Sequence, residues 1–166
     1  MHTRSVSLAG IIVACLALSP ETRAQEKLFI QAPAVFGPSV QVVDSVRKDC
    51  ELEEKVGDWV FDGVSKKYPG AARVRKPAEA GNGRLLKLTI VSVFGVGGGA
   101  YSGAKSMTVQ ADLVQGGKVV ASTTKSRSSG GGAFGGMKGT CAIFGRVAKA
   151  LGADVAAWLP GAIKGK

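Results

Sequence analysis

Residues 105–118 read KSMTVQADLVQGGK, and this stretch decides the fold class. Apolar and polar residues alternate over its first ten positions, which is the pattern of a half-buried β-strand. The apolar members of that alternation are Met107, Val109, Ala111 and Leu113. Two glycines follow, and glycine accepts the positive φ that tight hairpin turns need. The stretch therefore predicts a strand over 105–114, a hairpin turn at the glycine pair and a partner strand over 119–127.

Two further kinds of element flank this hairpin. Residues 84–94 are rich in Leu, Ile and Val, which predicts a strand buried on both faces over much of its length. Apolar residues at helical spacing predict a helix over 50–67, with Asp49 as its N-cap. A second amphipathic helix follows a cap at Thr140 and is expected to end at Pro160-Gly161.

These elements predict an α/β (α+β) fold of the two-layer sandwich type. We expect a mainly antiparallel sheet with the two amphipathic helices on one face. A single domain is expected over 44–160, followed by a basic tail over 161–166. Residues 25–43 are expected to form an N-terminal arm, with Phe29-Ile30 loosely ordered and 40–43 as a possible first strand.

Residues 1–24 have the three parts of an export signal. The apolar run over 6–18 is shorter than the ~20 residues that a membrane span needs, and small residues precede a cleavage site after Ala24. We therefore expect a periplasmic protein with no transmembrane segment in its mature chain. An alternative stays open, because Ile12-Val13-Ala14-Cys15 is similar to the lipobox of lipoproteins, and acylation at Cys15 would anchor the protein to the outer membrane.

Beyond the leader, the chain keeps two cysteines, Cys50 and Cys141, and no histidine. Two distant cysteines in an exported protein most simply form one disulfide. A redox pair is the alternative, because a helix N-terminus lowers the pKa of a thiol, although no Cys-x-x-Cys spacing is present. Since both cysteines fall in the first turn of a predicted helix, the bond would bring two helix N-termini to one end of the sandwich.

The formal net charge of the chain is +10, and it is distributed unevenly. Seven acidic residues lie within 44–62, whereas the chain from Gly63 onward has sixteen basic residues and three acidic ones. Such a surface attracts an anionic envelope component or an acidic envelope protein. The plainer interpretation is that the charge serves solubility and compensates the acidic helix. Nucleic acid is not an expected partner, because no RNA-recognition signature is present.

Two glycine-rich segments, 94–105 and 126–140, join the predicted strands and the last helix. In a meander they lie at the same end, where helix N-termini and backbone amides favour anions. The candidate binding residues at this end are Tyr101, Lys105, Lys125, Arg127, Ser128, Ser129 and Lys138. Flexible connectors without a ligand are the alternative. Neither segment has the spacing of a phosphate loop or a dinucleotide fingerprint.

The absence of histidine from the mature chain removes the usual general base and the commonest metal ligand. We expect no catalytic residues, no metal and no cofactor. A non-enzymatic accessory binding protein of the cell envelope is the function we infer, with a glycine-rich cationic end for an anionic or protein partner. An enzyme that uses a serine or a carboxylate is the alternative from another class. The oligomeric state does not follow from the sequence.

Several motifs of the sequence are similar to those of a known protein family. They are Asp49-Cys50-Glu51-Leu52-Glu53, Lys105-Ser106-Met107-Thr108-Val109, Ser126-Arg127-Ser128-Ser129-Gly130-Gly131 and Gly139-Thr140-Cys141 with the following helix to Trp158-Leu159. Over 43–159 the chain resembles a family of small exported proteobacterial proteins of unassigned activity, in which the two cysteine contexts are the specific part. The order of elements is similar to the TolB N-terminal domain and related envelope accessory domains. The resemblance implies an envelope role and supplies no catalytic residue.

Overall fold

The computed structural model describes residues 27–95, 103–130 and 139–165. Within these ranges the elements are β1 (Leu28–Gln31), β2 (Val35–Phe36), α1 (Asp44–Asp49), α2 (Leu52–Ser65), β3 (Ala72–Val74), a 3-10 turn (Pro77–Ala80), β4 (Arg84–Phe94), β5 (Lys105–Gln115), β6 (Lys118–Ser129) and α3 (Thr140–Ile163). No helix in the described part combines the length and apolar character that a bilayer crossing requires.

The six strands form one sheet in the order β3-β1-β4-β5-β6, with β2 beside β4. Strands β4, β5 and β6 form an antiparallel meander. Strand β1 is parallel to both β3 and β4, and β2 is parallel to β4. The predicted α/β sandwich is confirmed, and its sheet is mixed because the parallel pairs adjoin the meander.

The β5–β6 hairpin follows the sequence pattern closely. Alternate side chains of β5 from Lys105 to Leu113 are buried, and those between them are partly exposed. Gly116 and Gly117 both have positive φ, 56° and 76°. A two-residue turn of this kind matches the right-handed twist of the flanking strands.

Strand β4 has the predicted bounds, but it is not buried on both faces. Leu86, Leu88 and Ile90 are fully buried beneath the helices, whereas the residues between them are partly exposed. Leu85 is the buried side chain of the opposite face, where it packs with Val74 and Ala80 in a small second cluster. The helices therefore cover one side of the sheet, as the sandwich prediction requires.

Helices α2 and α3 pack closely and run parallel to each other. A Cβ atom at Gly63 would lie 3.0 Å from Ala156 Cβ, and one at Gly152 would lie 2.6 Å from the Trp59 backbone. Both contacts join residues that are the same number of positions apart. The contact therefore advances in the same direction along both helices, which shows that they are parallel. Small residues at these points allow the close approach, and the side chains of both helices complete the core.

The helix predicted over 50–67 is confirmed as α2, and a short helix that the sequence did not predict, α1, precedes it. Helix α1 ends at Asp49, and α2 begins at Leu52 after Glu51, whose φ of 47° is left-handed. Asp49 therefore does not cap α2, and no side chain makes a capping hydrogen bond there. Thr140 likewise lies inside α3 as its first residue, with Gly139 as the N-cap.

The first strand also lies elsewhere than predicted. Residues 40–43 are not a strand, and Phe29-Ile30, expected to be loosely ordered, belong to β1. Strand β1 sits between β3 and β4, and Ile30 is fully buried. The pairing partners of β1 come more than 40 residues later in the chain, so the local sequence does not reveal them.

Helix α3 continues through Pro160 to Ile163 rather than ending there. Proline has no N–H, so the carbonyl of Ala156 loses the donor that residue 160 would supply in a regular helix. Lys67 Nζ, just after α2, donates to that carbonyl oxygen at 3.1 Å. A contact between the two helices thus compensates the interruption.

Candidate functional site

One end of the sandwich brings together most of the features singled out in the sequence. Strand β4 ends there at Phe94, and Phe94 is aligned with Ser106 near the start of β5. Lys105 in turn is aligned with Ser129, the last residue of β6. We call this end the disulfide pole, because the N-terminal ends of α2 and α3 meet at the bond between Cys50 and Cys141.

The disulfide predicted from the cysteine count is confirmed. The Cα atoms of Cys50 and Cys141 lie 4.8 Å apart, within the range that a disulfide spans. Cys141 is in the first turn of α3, whereas Cys50 directly follows α1 and precedes α2 by two residues. Cys50 is 1% exposed, so the bond is part of the core at this pole.

Lys105 is not on the surface of the pole. Its side chain is fully buried on the helix-facing side of β5, in line with Met107. The stem packs against Gly95, where a Cβ atom would collide with Lys105 Cδ, and Nζ donates to the Gly103 carbonyl oxygen at 3.3 Å. Lys105 thus holds together the described ends of the first glycine-rich segment.

The charge of Arg127 is matched by an acidic residue of α3. Arg127 Nε and one terminal nitrogen donate to the two carboxylate oxygens of Asp154, each at 2.6 Å. These hydrogen bonds lower the pKa of Asp154, and burial opposes the effect in part. Lys125 lowers the same pKa through its charge. Both cations are therefore close to a carboxylate.

Two of the remaining candidate residues, Ser128 and Ser129, are the last residues of β6. Ser128 is exposed and aligned with Ser106, and Ser129 is half-buried beside Lys105. Tyr101 and Lys138 lie outside the described residues. A role of these residues in binding stays a prediction.

The described surface of the pole includes an apolar cleft of about 620 Å³, a volume typical of binding clefts. One wall comes from the segment before α1, and the other from the adjoining ends of β4 and β5. The lining residues are Gln41, Val42, Val43, Val93, Phe94, Gly95, Gly103 and Ala104. Phe94 is 71% exposed and Val43 is 48% exposed. The cleft therefore presents an aromatic and an aliphatic side chain to solvent.

A β-bulge in β4 explains why Phe94 points outward. The register between β4 and β5 shifts between Ile90 and Ser92. After the shift Val93, rather than Phe94, is aligned with the buried Met107. Simple alternation from Ile90 would have placed Phe94 inside, so the sequence carried no signal for the exposed aromatic residue. Bulges commonly redirect a side chain in this way.

The burial of Lys105 did have a signal in the sequence. Lys105 precedes Met107 by two positions, and residues two apart in a strand lie on the same face. Alternation therefore places the lysine on the core side, although its charge suggests the surface.

Among the described residues, no group of three Asp, Glu, Cys or His side chains is arranged to hold a metal ion.

No family model and no curated protein matches this chain. Solved structures do match. PelC of Paraburkholderia phytofirmans, described as a dodecamer, is 14% identical, with a TM-score of 0.49 over 77% of this chain and 86% of that chain. A point variant of PelC, also a dodecamer, is 16% identical, with a TM-score of 0.52 over 78% of this chain and 84% of that chain.

A Xanthomonas campestris protein assigned to the family DUF330 is 14% identical, with a TM-score of 0.45 over 84% of this chain and 86% of that chain. The match to the PelC variant shows a shared fold. Membership of a family of small exported proteins, and the similarity to TolB, stay predictions.

Proposed function

We propose that this chain is a non-enzymatic accessory protein of the bacterial cell envelope that binds a partner protein through the cleft at the disulfide pole. The exposure of Phe94 beside Val43 carries the proposal. Aromatic side chains in apolar recesses are the usual anchors of protein interfaces. A cleft whose walls expose such side chains is therefore suited to receive an apolar side chain of another protein.

The charges at the pole favour a protein over a simple anion as the partner. Lys105 is buried, and Arg127 and Lys125 lie close to the carboxylate of Asp154. These cations have less capacity to attract an anion than the sequence suggests. Ser128 and Ser129 would supply the polar rim that surrounds the apolar centre of most interfaces.

The non-enzymatic part of the proposal is supported by the chemistry of the described residues. Arg127 and Asp154 are the two described groups with clearly shifted pKa values, and each shift favours the charged form of its group. A charged arginine and a charged carboxylate that bind each other do not exchange protons near neutral pH. A general acid or base needs a pKa near the working pH.

Self-assembly is a second part of the proposal. The PelC chain that shares this fold is described as a dodecamer. That description supports an arrangement in which copies of this chain also assemble with one another. In such an assembly the clefts of several copies would be presented together, and multiple weak contacts would add up to firm binding.

The proposed location is the periplasm, with the lipid-anchored form as the alternative. Mass spectrometry of the exported protein separates the two. A mature chain that begins at Gln25 without added mass supports the periplasmic form. A diacylated or triacylated chain that begins at Cys15 overturns it in favour of the lipoprotein.

Partner binding is tested with two variants that carry the same new charge. Phe94→Asp places a carboxylate in the cleft, and Ala78→Asp places one on an exposed residue of the 3-10 turn near the start of β4, at the opposite end of the sandwich. Tagged proteins are purified from envelope extracts, and co-purifying proteins are quantified by mass spectrometry. We expect a specific protein to be lost with Phe94→Asp and kept with Ala78→Asp. Equal recovery with both variants contradicts the proposal.

A further inference from the structure

One side of β4 has no neighbouring strand where β4 reaches the cleft. Strand β2 pairs with β4 only at Thr89 and Ile90. The last backbone contact on this side is the hydrogen bond from Gly37 N–H to the Ile90 carbonyl oxygen. Strand β4 continues to Phe94, and among the described residues none pairs with its last four on this side. Four residues of a strand span about 13 Å, so the edge is open over that length.

The alternation of β4 shows which backbone groups lie on this open edge. The Ile90 carbonyl points towards β2, where it accepts from Gly37, and the Ile90 side chain is buried beneath the helices. In a strand, residues whose side chains share a face also direct their N–H and C=O groups to the same edge. Val93 shares that face after the bulge, because it is aligned with the buried Met107. The N–H and C=O of Val93 therefore point to the open edge, where no described residue is their partner.

The opposite wall of the cleft completes a slot for one extended chain. It is formed by the segment before α1, in which Gln41 and Val42 make no backbone hydrogen bond with another described residue. Val42 and Val93 pack against the core, whereas Val43 and Phe94 are exposed. The side chains that line the cleft are uncharged, although the chain has a net charge of +10. A charged group in the cleft would lose hydration without gaining an opposite charge, so an uncharged ligand is favoured.

We propose that the cleft receives an extended, uncharged segment of the partner protein as an added strand beside the end of β4. This binding mode rests on the proposed function and specifies the conformation of the segment that binds. Added strands bind through main-chain hydrogen bonds, and recesses for alternate side chains give them selectivity. Val93 supplies the main-chain groups. One set of alternate side chains lies between Val42 and Val93, and the other lies beside Phe94.

Amide hydrogen exchange, followed by NMR on the exported protein with its disulfide intact, tests this mode with a defined probe. The probe is the peptide acetyl-Val-Thr-Val-Thr-Val-amide, which is uncharged and composed of strand-forming residues. Its matched control is the same peptide with N-methylated amides, which keeps the side chains but cannot donate main-chain hydrogen bonds.

In the free protein, we expect the Val93 amide to exchange faster than that of Thr89, whose N–H points to β5. At about 90% occupancy the probe should slow exchange at Val93 by roughly tenfold, because only the free fraction exchanges. The N-methylated peptide should leave the rate unchanged. The amide of Thr124 should be unaffected by either peptide, because it lies on the outer edge of β6, away from the cleft.

Slow exchange of Val93 in the free protein would overturn the proposal, because the edge would then already be paired. An unchanged rate with the probe, equal slowing by both peptides, or equal slowing at Val93 and Thr124 would also overturn it. Co-purification separates this failure from that of the proposed function. A protein lost with Phe94→Asp and kept with Ala78→Asp, without slowing at Val93, would mean that a folded surface binds the cleft. Equal recovery with both variants would overturn the proposed function and the added strand together.

Discussion

The close packing of α2 on α3 predicts different effects of alanine at two glycines of α3, Gly152 and Gly145. In Gly152→Ala, the added Cβ atom would lie 2.6 Å from the backbone carbon and oxygen of Trp59 and 2.9 Å from its Cβ atom. Carbon atoms pack at about 3.5–4.0 Å, so the helices must separate by roughly 1 Å. In Gly145→Ala, the added atom would have no neighbour within 4 Å.

The two substitutions are expected to change the free energy of unfolding in opposite directions. Overpacking of a core costs about 1–3 kcal/mol, and replacing glycine by alanine inside a helix returns up to about 1 kcal/mol. Gly152→Ala should therefore lower the free energy of unfolding by up to about 2 kcal/mol. Gly145→Ala should raise it by up to about 1 kcal/mol, because only the helix term applies.

The assay is urea unfolding followed by circular dichroism, on protein whose disulfide is confirmed intact by mass. The two variants have identical composition, so their difference isolates the position of the added methyl group. If Gly152→Ala proved as stable as Gly145→Ala, the parallel close packing of the two helices would be refuted.

Two further predictions concern covalent and ionic links. The variant Cys50→Ala/Cys141→Ala removes a bond between residues 91 positions apart. We expect the free energy of unfolding to fall, by at most about 4–5 kcal/mol on the chain-entropy estimate for such a loop. A urea midpoint unchanged from that of the oxidised protein would contradict this. Hydrogen bonds from Arg127 lower the folded-state pKa of Asp154. The pair therefore contributes its full stabilisation at a pH above the unfolded-state pKa of about 3.9. This stabilisation is lost as the pH falls through the folded-state pKa. The difference in melting temperature between wild type and Asp154→Asn should therefore shrink on acidification below about pH 4, and a difference that stays constant down to about pH 2 would argue against the ion pair.

The meander and the disulfide could be predicted because their signals are local or few in number. Alternation along β5 and the glycine pair at 116–117 locate the hairpin from adjacent residues alone. The observed strands exceed the predicted ranges by no more than two residues at either end. The disulfide followed from the count of cysteines left after the leader, with no need to know the topology.

The elements that depend on distant partners could not be predicted. Strand β1 is held between β3 and β4, so its status is decided by residues far along the chain. The break between α1 and α2 requires Glu51 in a left-handed conformation, which glutamate rarely signals. Pro160 stays inside α3 because Lys67 reaches the carbonyl that the proline leaves without a donor.

In the candidate site, too, one feature was indicated by the local sequence and another was not. Alternation already indicated that Lys105 faces the core, and the charge of the lysine obscured the signal. The outward position of Phe94 depends on a bulge in β4, which no residue type in that stretch announces. The cleft formed by Phe94 and Val43 was therefore visible only once the strands were paired.

Photo-crosslinking tests most directly whether this pole receives another protein. Benzoylphenylalanine is placed at Phe94 and, in a separate variant, at Val43, which lie on opposite walls of the cleft, with Ala78 at the other end of the sandwich as the control. After irradiation of intact cells, we expect one and the same heterologous protein to be joined to positions 94 and 43 and to be absent from position 78. No adduct from either wall, or the same adducts from all three positions, would contradict the account.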